Sequence, residues 1–207
     1  MSELIYSKFA VREPILRDEL KDILNIQNEH SFSQYISMLL KFGLIKLFQN
    51  GIYYIPEKTQ RFSMLKPSII DIVKKKYCSK FNGFRTGAAL LNQYKFTSQV
   101  SRDFEIISSE VSENSRNVKL FNGKATISSS KLPINKYNYY YVVYAEILKH
   151  IKYSDYKEEY NLELLRDLFD DLNLNKRKMK NVLKYYKGNR LLYMHILFNK
   201  VINNETT

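Results

Sequence analysis

The 207 residues carry 33 Lys and Arg against 21 Asp and Glu, a formal net charge of +12, and 44% of them are hydrophobic. That share suits a globular chain rather than a disordered one. No stretch approaches the ~20 apolar residues of a membrane span and no basic-then-apolar signal opens the chain, so a cytoplasmic protein with no membrane role is expected. A lone Cys78 excludes an internal disulfide or a cysteine zinc site and reads as a small hydrophobe at a helix end. His30, His150 and His195 lack ligand spacing, so no metal or cofactor is expected. At the start of the chain, Glu3–Phe9 and Pro14–Leu24 read as two short amphipathic helices, with Pro14 at a helical first position.

The next stretch is the most informative. Ser31 reads as a helix cap, with Gln34 reaching back from three residues on, and Phe32, Tyr35, Ile36, Leu39 and Leu40 then recur at helical spacing to form one apolar face. Gly43 ends the run. Ser33, Gln34, Ser37 and Lys41 fall on the opposite face, small or polar and free of negative charge, which suits entry into a major groove. The period then changes to that of extended chain. Asn50-Gly51 supplies a two-residue hairpin turn between Leu44–Gln49 and Ile52–Ile55, and Pro56 stops the second strand. Three helices and a wing fit in residues 1–58, the order of a winged helix-turn-helix; Lys46, Gln49 and Asn50 would follow the DNA backbone or minor groove from the wing.

Charge is unevenly spread. Residues 1–58 hold seven basic and seven acidic side chains, residues 59–152 sixteen and six, and residues 153–207 ten and eight. A neutral reading domain neutralises few phosphates, so either the later segment touches the same DNA or two chains bind side by side; the competing account is that these lysines solubilise a tyrosine-rich surface. Candidate phosphate contacts are Lys74, Lys75, Lys76, Arg85, Lys176, Arg177, Lys180 and Lys184.

Residues 57–67 read as a connector closed by Pro67, leading into a helix from Ser68 to Lys80. Thr86–Asn92 opens another short helix, and Phe104–Ser108, Asn117–Phe121 and Lys124–Ser128 read as strands with Asn122-Gly123 as a second hairpin turn. A small antiparallel sheet with flanking helices is expected. Arg85-Thr86-Gly87 is either a phosphate-holding helix start or a plain cap with a tight turn. Tyr139, Tyr140, Tyr141 and Tyr144 would stack on unpaired bases or pack a core. The tail reads as helices Leu162–Leu172, Lys176–Tyr186 and Leu191–Val201; the basic face of the second would grip phosphates, or stay solvated with Glu158, Glu159, Asp167, Asp170 and Asp171 just upstream to neutralise it. No nucleophile-and-base pattern appears, and Asp103 and Glu105 lack a strand lysine two residues on, so no enzymatic activity is expected.

Three features together resemble the AbiEi-type antitoxins of bacterial type IV toxin–antitoxin and phage-defence systems. They are Leu39-Leu-Lys-Phe-Gly-Leu-Ile45, the wing Asn50-Gly-Ile-Tyr-Tyr-Ile-Pro56, and Phe84-Arg-Thr-Gly-Ala-Ala-Leu-Leu-Asn92 with Phe96-Thr-Ser-Gln-Val100. The resemblance covers roughly residues 1–150; where such relatives carry Pro after Gln-Val, this chain has Ser101. It implies an α+β protein, an N-terminal winged helix-turn-helix (1–58) followed by a basic antitoxin domain (59–207) with helical tail. It also implies a transcriptional autorepressor that binds inverted repeats in its own promoter as duplex DNA; a weak dimer, or monomers cooperating on DNA, would suit such a repeat. The later domain would neutralise a cognate nucleotidyltransferase-like toxin without a stable complex. The alternative is a winged-helix protein-interaction module that binds no DNA.

Overall fold

Residues 2–49, 51–57, 65–102, 104–111, 116–120 and 123–203 are described by the computed structural model, a mixed α+β chain whose internal contacts divide it into units 1–76 and 77–207. The first unit runs α1 (Ser2–Lys8), β1 (Ile15–Leu16), α2 (Arg17–Leu24), α3 (Glu29–Lys41), β2 (Lys46–Gln49) and β3 (Ile52–Tyr54), and closes within α4 (Ile69–Tyr77), whose last residue already belongs to the second unit. Its antiparallel sheet has the order β1-β3-β2.

Two sequence expectations change here. Pro14 does not begin a helix: Ile15 and Leu16 are extended and pair with Tyr53 and Ile52, and α2 starts only at Arg17. Pairing with β3 wins because it buries Ile15 completely, while the Glu19 carboxylate accepts the Leu16 N–H at 2.9 Å and so serves the delayed helix start. Nor does Ser31 cap α3. Asn28 does so, its Oδ1 accepting the Ser31 N–H at 3.0 Å, and Gln34 turns to His30 instead, Nε2 to Nε2 at 2.9 Å. The added turn contains Glu29, a carboxylate at the positive end of the helix.

The other end of α3 follows its glycine. Gly43 has φ +68°, its N–H donates to Leu40 O at 3.1 Å, and the Leu44 N–H reaches Leu39 O at 3.0 Å, which satisfies the last carbonyls and turns the chain into β2. Phe32, Ile36 and Leu39 point into a core with Ile5, Phe9, Ile15, Leu20, Leu24, Ile45, Tyr53 and Ile55. The other side of the hairpin, Phe48, Ile52 and Tyr54, packs on Ile72 of α4. Ser68 caps α4, accepting the Asp71 N–H at 3.1 Å.

In the second unit a short 3-10 turn leads to β4 (Gly83–Arg85), α5 (Ala88–Gln93), β5 (Phe104–Ser108), β6 (Arg116–Leu120), β7 (Gly123–Ser129), α6 (Tyr139–His150), α7 (Glu158–Asp171), α8 (Lys176–Leu183) and α9 (Asn189–Asn203). Phe121, the last residue of an expected strand, and Asn122 of the expected Asn122-Gly123 turn lie outside the described residues. The sheet has the order β4-β5-β7-β6 and is mixed, not antiparallel: β7 inserts between β5 and β6 and runs parallel to β5, Phe104 opposite Ala125 through Ser108 opposite Ser129. Alternation along a strand reports its faces but not the direction of a partner, and β4, three residues long, was not anticipated.

The core of this unit centres on α6. Every residue from Val142 to Leu148 is buried, so the helix is covered on all sides, and Tyr144 stacks edge-on with Phe169 and Phe198 while its hydroxyl donates to Leu165 O at 3.0 Å. Tyr139 packs edge-on with Phe81, Phe84 and Tyr140, and its hydroxyl is pushed up to about 12 by burial, with Tyr94 next in effect. The tyrosine-dense segment is thus mainly packing rather than a platform for unpaired bases. Cys78 is half-buried just after α4. Among the described residues no helix is long and apolar enough to cross a membrane.

Candidate nucleic-acid interface

Four of the seven residues expected to read DNA lie on α3. Ser33, Gln34, Ser37 and Lys41 are all exposed, and so is His30, which the sequence reading left out. His30, Gln34, Ser37 and Lys41 recur at four, three and four residues and form one ridge, with Ser33 on its flank. From Glu29 onward α3 carries no second carboxylate, so nothing along the ridge repels a phosphate.

Arg17 is the second residue missed. As the first residue of α2 its N–H donates to Gly51 O at 3.0 Å, fastening α2 to the hairpin. Its guanidinium lies 2.7 Å from Glu29, 3.4 Å from Ser33 Oγ and 4.7 Å from the Phe32 ring centre. Lys21 completes the cluster at 2.5 Å from Glu29. Lys21 and then Arg17 hold the Glu29 carboxyl below the usual range, so the one acid at the head of α3 stays ionised and already matched by two cations. A spacing of twelve residues gave no signal for this pairing; only the packing of α2 against α3 creates it.

On the hairpin, Lys46 and Gln49 are half-buried, opposite Tyr54 and Ile52, with a register irregularity between Leu47 and Gln49 that strengthens the local twist. Gly51 has φ +77°, as the turn requires. Asn50 lies outside the described residues.

The expected phosphate contacts fare unevenly. Lys74 is exposed and Lys76 half-buried on α4, but Lys75 is committed inside the first unit: its Nζ lies 2.6 Å from Glu13, 3.3 Å from Glu19 and 4.9 Å from the centre of the Phe9 ring, with the side chain 19% exposed. Burial pushes the Glu13 carboxyl up, and the hydrogen bonds from Lys75 and the Ala10 N–H outweigh this and bring it below its ordinary value. Lys75 is a strut, because two carboxylates and a ring compete for it with any phosphate. Lys75→Met is expected to destabilise the first unit by roughly 1 kcal/mol, the exposed part of Glu13 being screened by water, and to leave duplex affinity unchanged. Urea denaturation and DNA titration read the two effects separately; lost affinity at unchanged stability would return Lys75 to the interface.

In the second unit, the Arg85 guanidinium lies over the Phe104 ring at 5.3 Å and its Nε is buried without a hydrogen-bond partner. The neighbouring Thr86 hydroxyl donates to Glu146 at 3.2 Å, and Gly87 is the N-cap of the six-residue α5, φ +66° and ψ −144°, with the Glu105 carboxylate where a Cβ would stand. This is a cap with a tight turn, not a phosphate cradle. Lys176, Arg177 and Lys180 are exposed on α8, and Lys184 is exposed just after its end. Lys176 donates to Ile202 O at 3.3 Å and Lys184 to Asn181 at 3.3 Å. The upstream acids do not neutralise this face: Glu158 pairs with Lys200 at 2.7 Å, and among the described residues none of the four cations has an acidic partner.

Comparison of the chain with protein-family models and with curated protein sequences finds no match in either.

Proposed function

We propose that residues 2–57 form a winged helix-turn-helix that reads duplex DNA. The observation that carries the reading is the arrangement itself: three helices and three strands in the order α1-β1-α2-α3-β2-β3, sheet order β1-β3-β2, with α3 offering an exposed ridge of His30, Gln34, Ser37 and Lys41 beside the hairpin strands. In this reading Ser33, Gln34 and Ser37 meet base edges, and Lys41, Lys46 and Gln49 hold nearby phosphates. The resemblance to AbiEi-type antitoxins extends it: a cytoplasmic autorepressor of its own promoter, bound at inverted repeats, whose second unit antagonises a nucleotidyltransferase-like toxin without a stable complex. A toxin gene directly downstream, with its toxicity relieved by co-expression of this chain, is the expected result; undiminished toxicity would remove the antitoxin role and leave the DNA reading standing.

Fluorescence anisotropy of the full chain on its upstream promoter duplex and on a scrambled duplex, at several salt concentrations, tests DNA binding. Gln34→Ala is expected to relax preference at one or two base pairs by about 1–3 kcal/mol, whereas Lys46→Ala weakens both duplexes equally and lowers the salt slope by about one. Equal affinity for promoter and scrambled duplex would overturn sequence-specific reading, and uniform loss from both substitutions would overturn the division of labour.

One observation favours a protein-interaction module instead. Met38 and Phe42, one turn apart near the end of α3, are exposed, Phe42 at 68%, and Leu47 on the hairpin is exposed too. That module would retain its partner after Gln34→Ala and lose it after Phe42→Ser, the opposite of the DNA expectation.

A further inference from the structure

The second unit contains a cavity of about 350 Å³, lined by both polar and apolar side chains, that the proposed DNA reading does not use. One wall is the face of the parallel pair β5 and β7 that carries Glu105 opposite Thr126 and Ile107 opposite Ser128; the rest comes from Thr86 after β4, Lys131 after β7, the end of α6 and the start of α9. Glu146 of α6, 2% exposed, lies at the centre of its fixed charges. Its carboxylate is 2.7 Å from Lys149 Nζ and accepts the Thr86 hydroxyl at 3.2 Å, and His150 Nε2 is 3.4 Å away. Burial pushes the Glu146 carboxyl up, and His150 and Lys149 more than offset this, so it remains ionised and matched by Lys149.

With that pair cancelled, Lys131, Arg190 and Glu105 remain on the lining, and among the described residues none of the three side chains has a hydrogen-bond or ionic partner. Two cations and one carboxylate beside Thr126 and Ser128 call for a ligand that carries charge and hydroxyl groups, with Ile106 and Ile107 completing the wall. They also differ from the convex cationic faces that follow a duplex backbone. The complement is a small molecule with a doubly charged anionic head for Lys131 and Arg190 and hydroxyl donors for Glu105. The volume sits at the lower end of the range of ligand pockets.

We propose that this cavity binds a phosphate monoester of a hydroxylated sugar, a sugar phosphate or a mononucleotide, its phosphate on Lys131 and Arg190 and a sugar hydroxyl on Glu105. The site is independent of the DNA reading, because every residue it uses lies in the second unit.

Calorimetric titration of the full chain with ribose 5-phosphate, AMP, inorganic phosphate, ribose and adenosine tests it. Saturable binding of one ester per chain is expected, at least about tenfold tighter than inorganic phosphate, with no binding of ribose or adenosine. The tighter of ribose 5-phosphate and AMP identifies the source. Arg190→Ala and Lys131→Ala, both exposed and thus safe for folding, are each expected to weaken the ester about tenfold, and Glu105→Gln to erase its advantage over inorganic phosphate. Lys157→Ala, an exposed charge elsewhere on the unit, should change nothing. Absence of saturable ester binding, adenosine binding as tightly as AMP, or equal loss from Lys157→Ala and Arg190→Ala would each overturn the site.

Discussion

Ser37→Glu is expected to abolish duplex binding while leaving the fold intact. Ser37 is exposed at the middle of the α3 ridge, between Gln34 and Lys41, so the longer acidic side chain meets no packed neighbour and stability should stay within about 0.5 kcal/mol of the parent. On DNA the same carboxylate would face phosphates across a groove from which water is largely excluded. Like-charge juxtaposition of that kind costs several kcal/mol, so affinity is expected to fall by about a hundredfold or more for promoter and scrambled duplex alike. Lys157→Ala changes the net charge by the same single unit in the second unit of the chain and is the control. Equal loss from both substitutions would make the effect one of overall charge and would remove α3 as the reading element.

The α3 ridge was legible because helical periodicity and a terminal glycine are local signals, and the burial of Phe32, Ile36 and Leu39 follows from them. The helix start was displaced because Asn28 and Ser31 both suit a cap, and the choice depends on Arg17 and Lys21, which reach Glu29 only in the folded unit. β1 was hidden for a related reason: a proline followed by apolar residues suits a helix start as well as a strand, and only β3 decides between them. The direction of β7 against β5, and the convergence of Thr86, Glu105, Thr126, Glu146 and Arg190 on one cavity, are long-range properties with no local pattern. Glu146 in particular sits in an apolar helical run and gave no sign that it would be held ionised.

Location qualifies the charge argument. Residues 1–76 hold 12 basic and 8 acidic side chains, and residues 77–207 hold 21 and 13, so the first unit is less neutral than its first 58 residues suggest. Half of its acids are engaged within it: Glu13 and Glu19 at Lys75, Glu29 at Arg17 and Lys21, Glu57 at Arg12. Among the described residues Lys41 and Lys46 have no acidic partner. A small net charge therefore accompanies a proposed reading face on which Lys41 and Lys46 keep no acidic partner, and the exposed cations on and just after α8 are likewise without one among the described residues.

Gly83→Ala is expected to unfold the second unit selectively. Gly83 opens β4 and pairs with Ser108, and a Cβ there would lie 2.2 Å from Tyr77 O, 2.6 Å from Ile107 O and 2.9 Å from Ser108 Cβ. Two of the three atoms are backbone, so no side chain can rotate away; either β4 leaves β5 or the chain around Tyr77 shifts. β4 also delivers Phe84 into the core around α6 and holds Thr86 against Glu146, so its departure removes apolar burial and exposes a buried carboxylate to imbalance in one step. A loss of about 3 kcal/mol or more follows from overpacking against backbone combined with those contacts. Hydrogen exchange on the full chain is the measurement: amides of β5, β7 and α6 should lose protection, while those of α2, α3 and β3, which pack on a separate core, keep it. Unchanged protection throughout would mean that the Tyr77 segment yields to the methyl group, and loss in both units would mean that the two cores unfold as one.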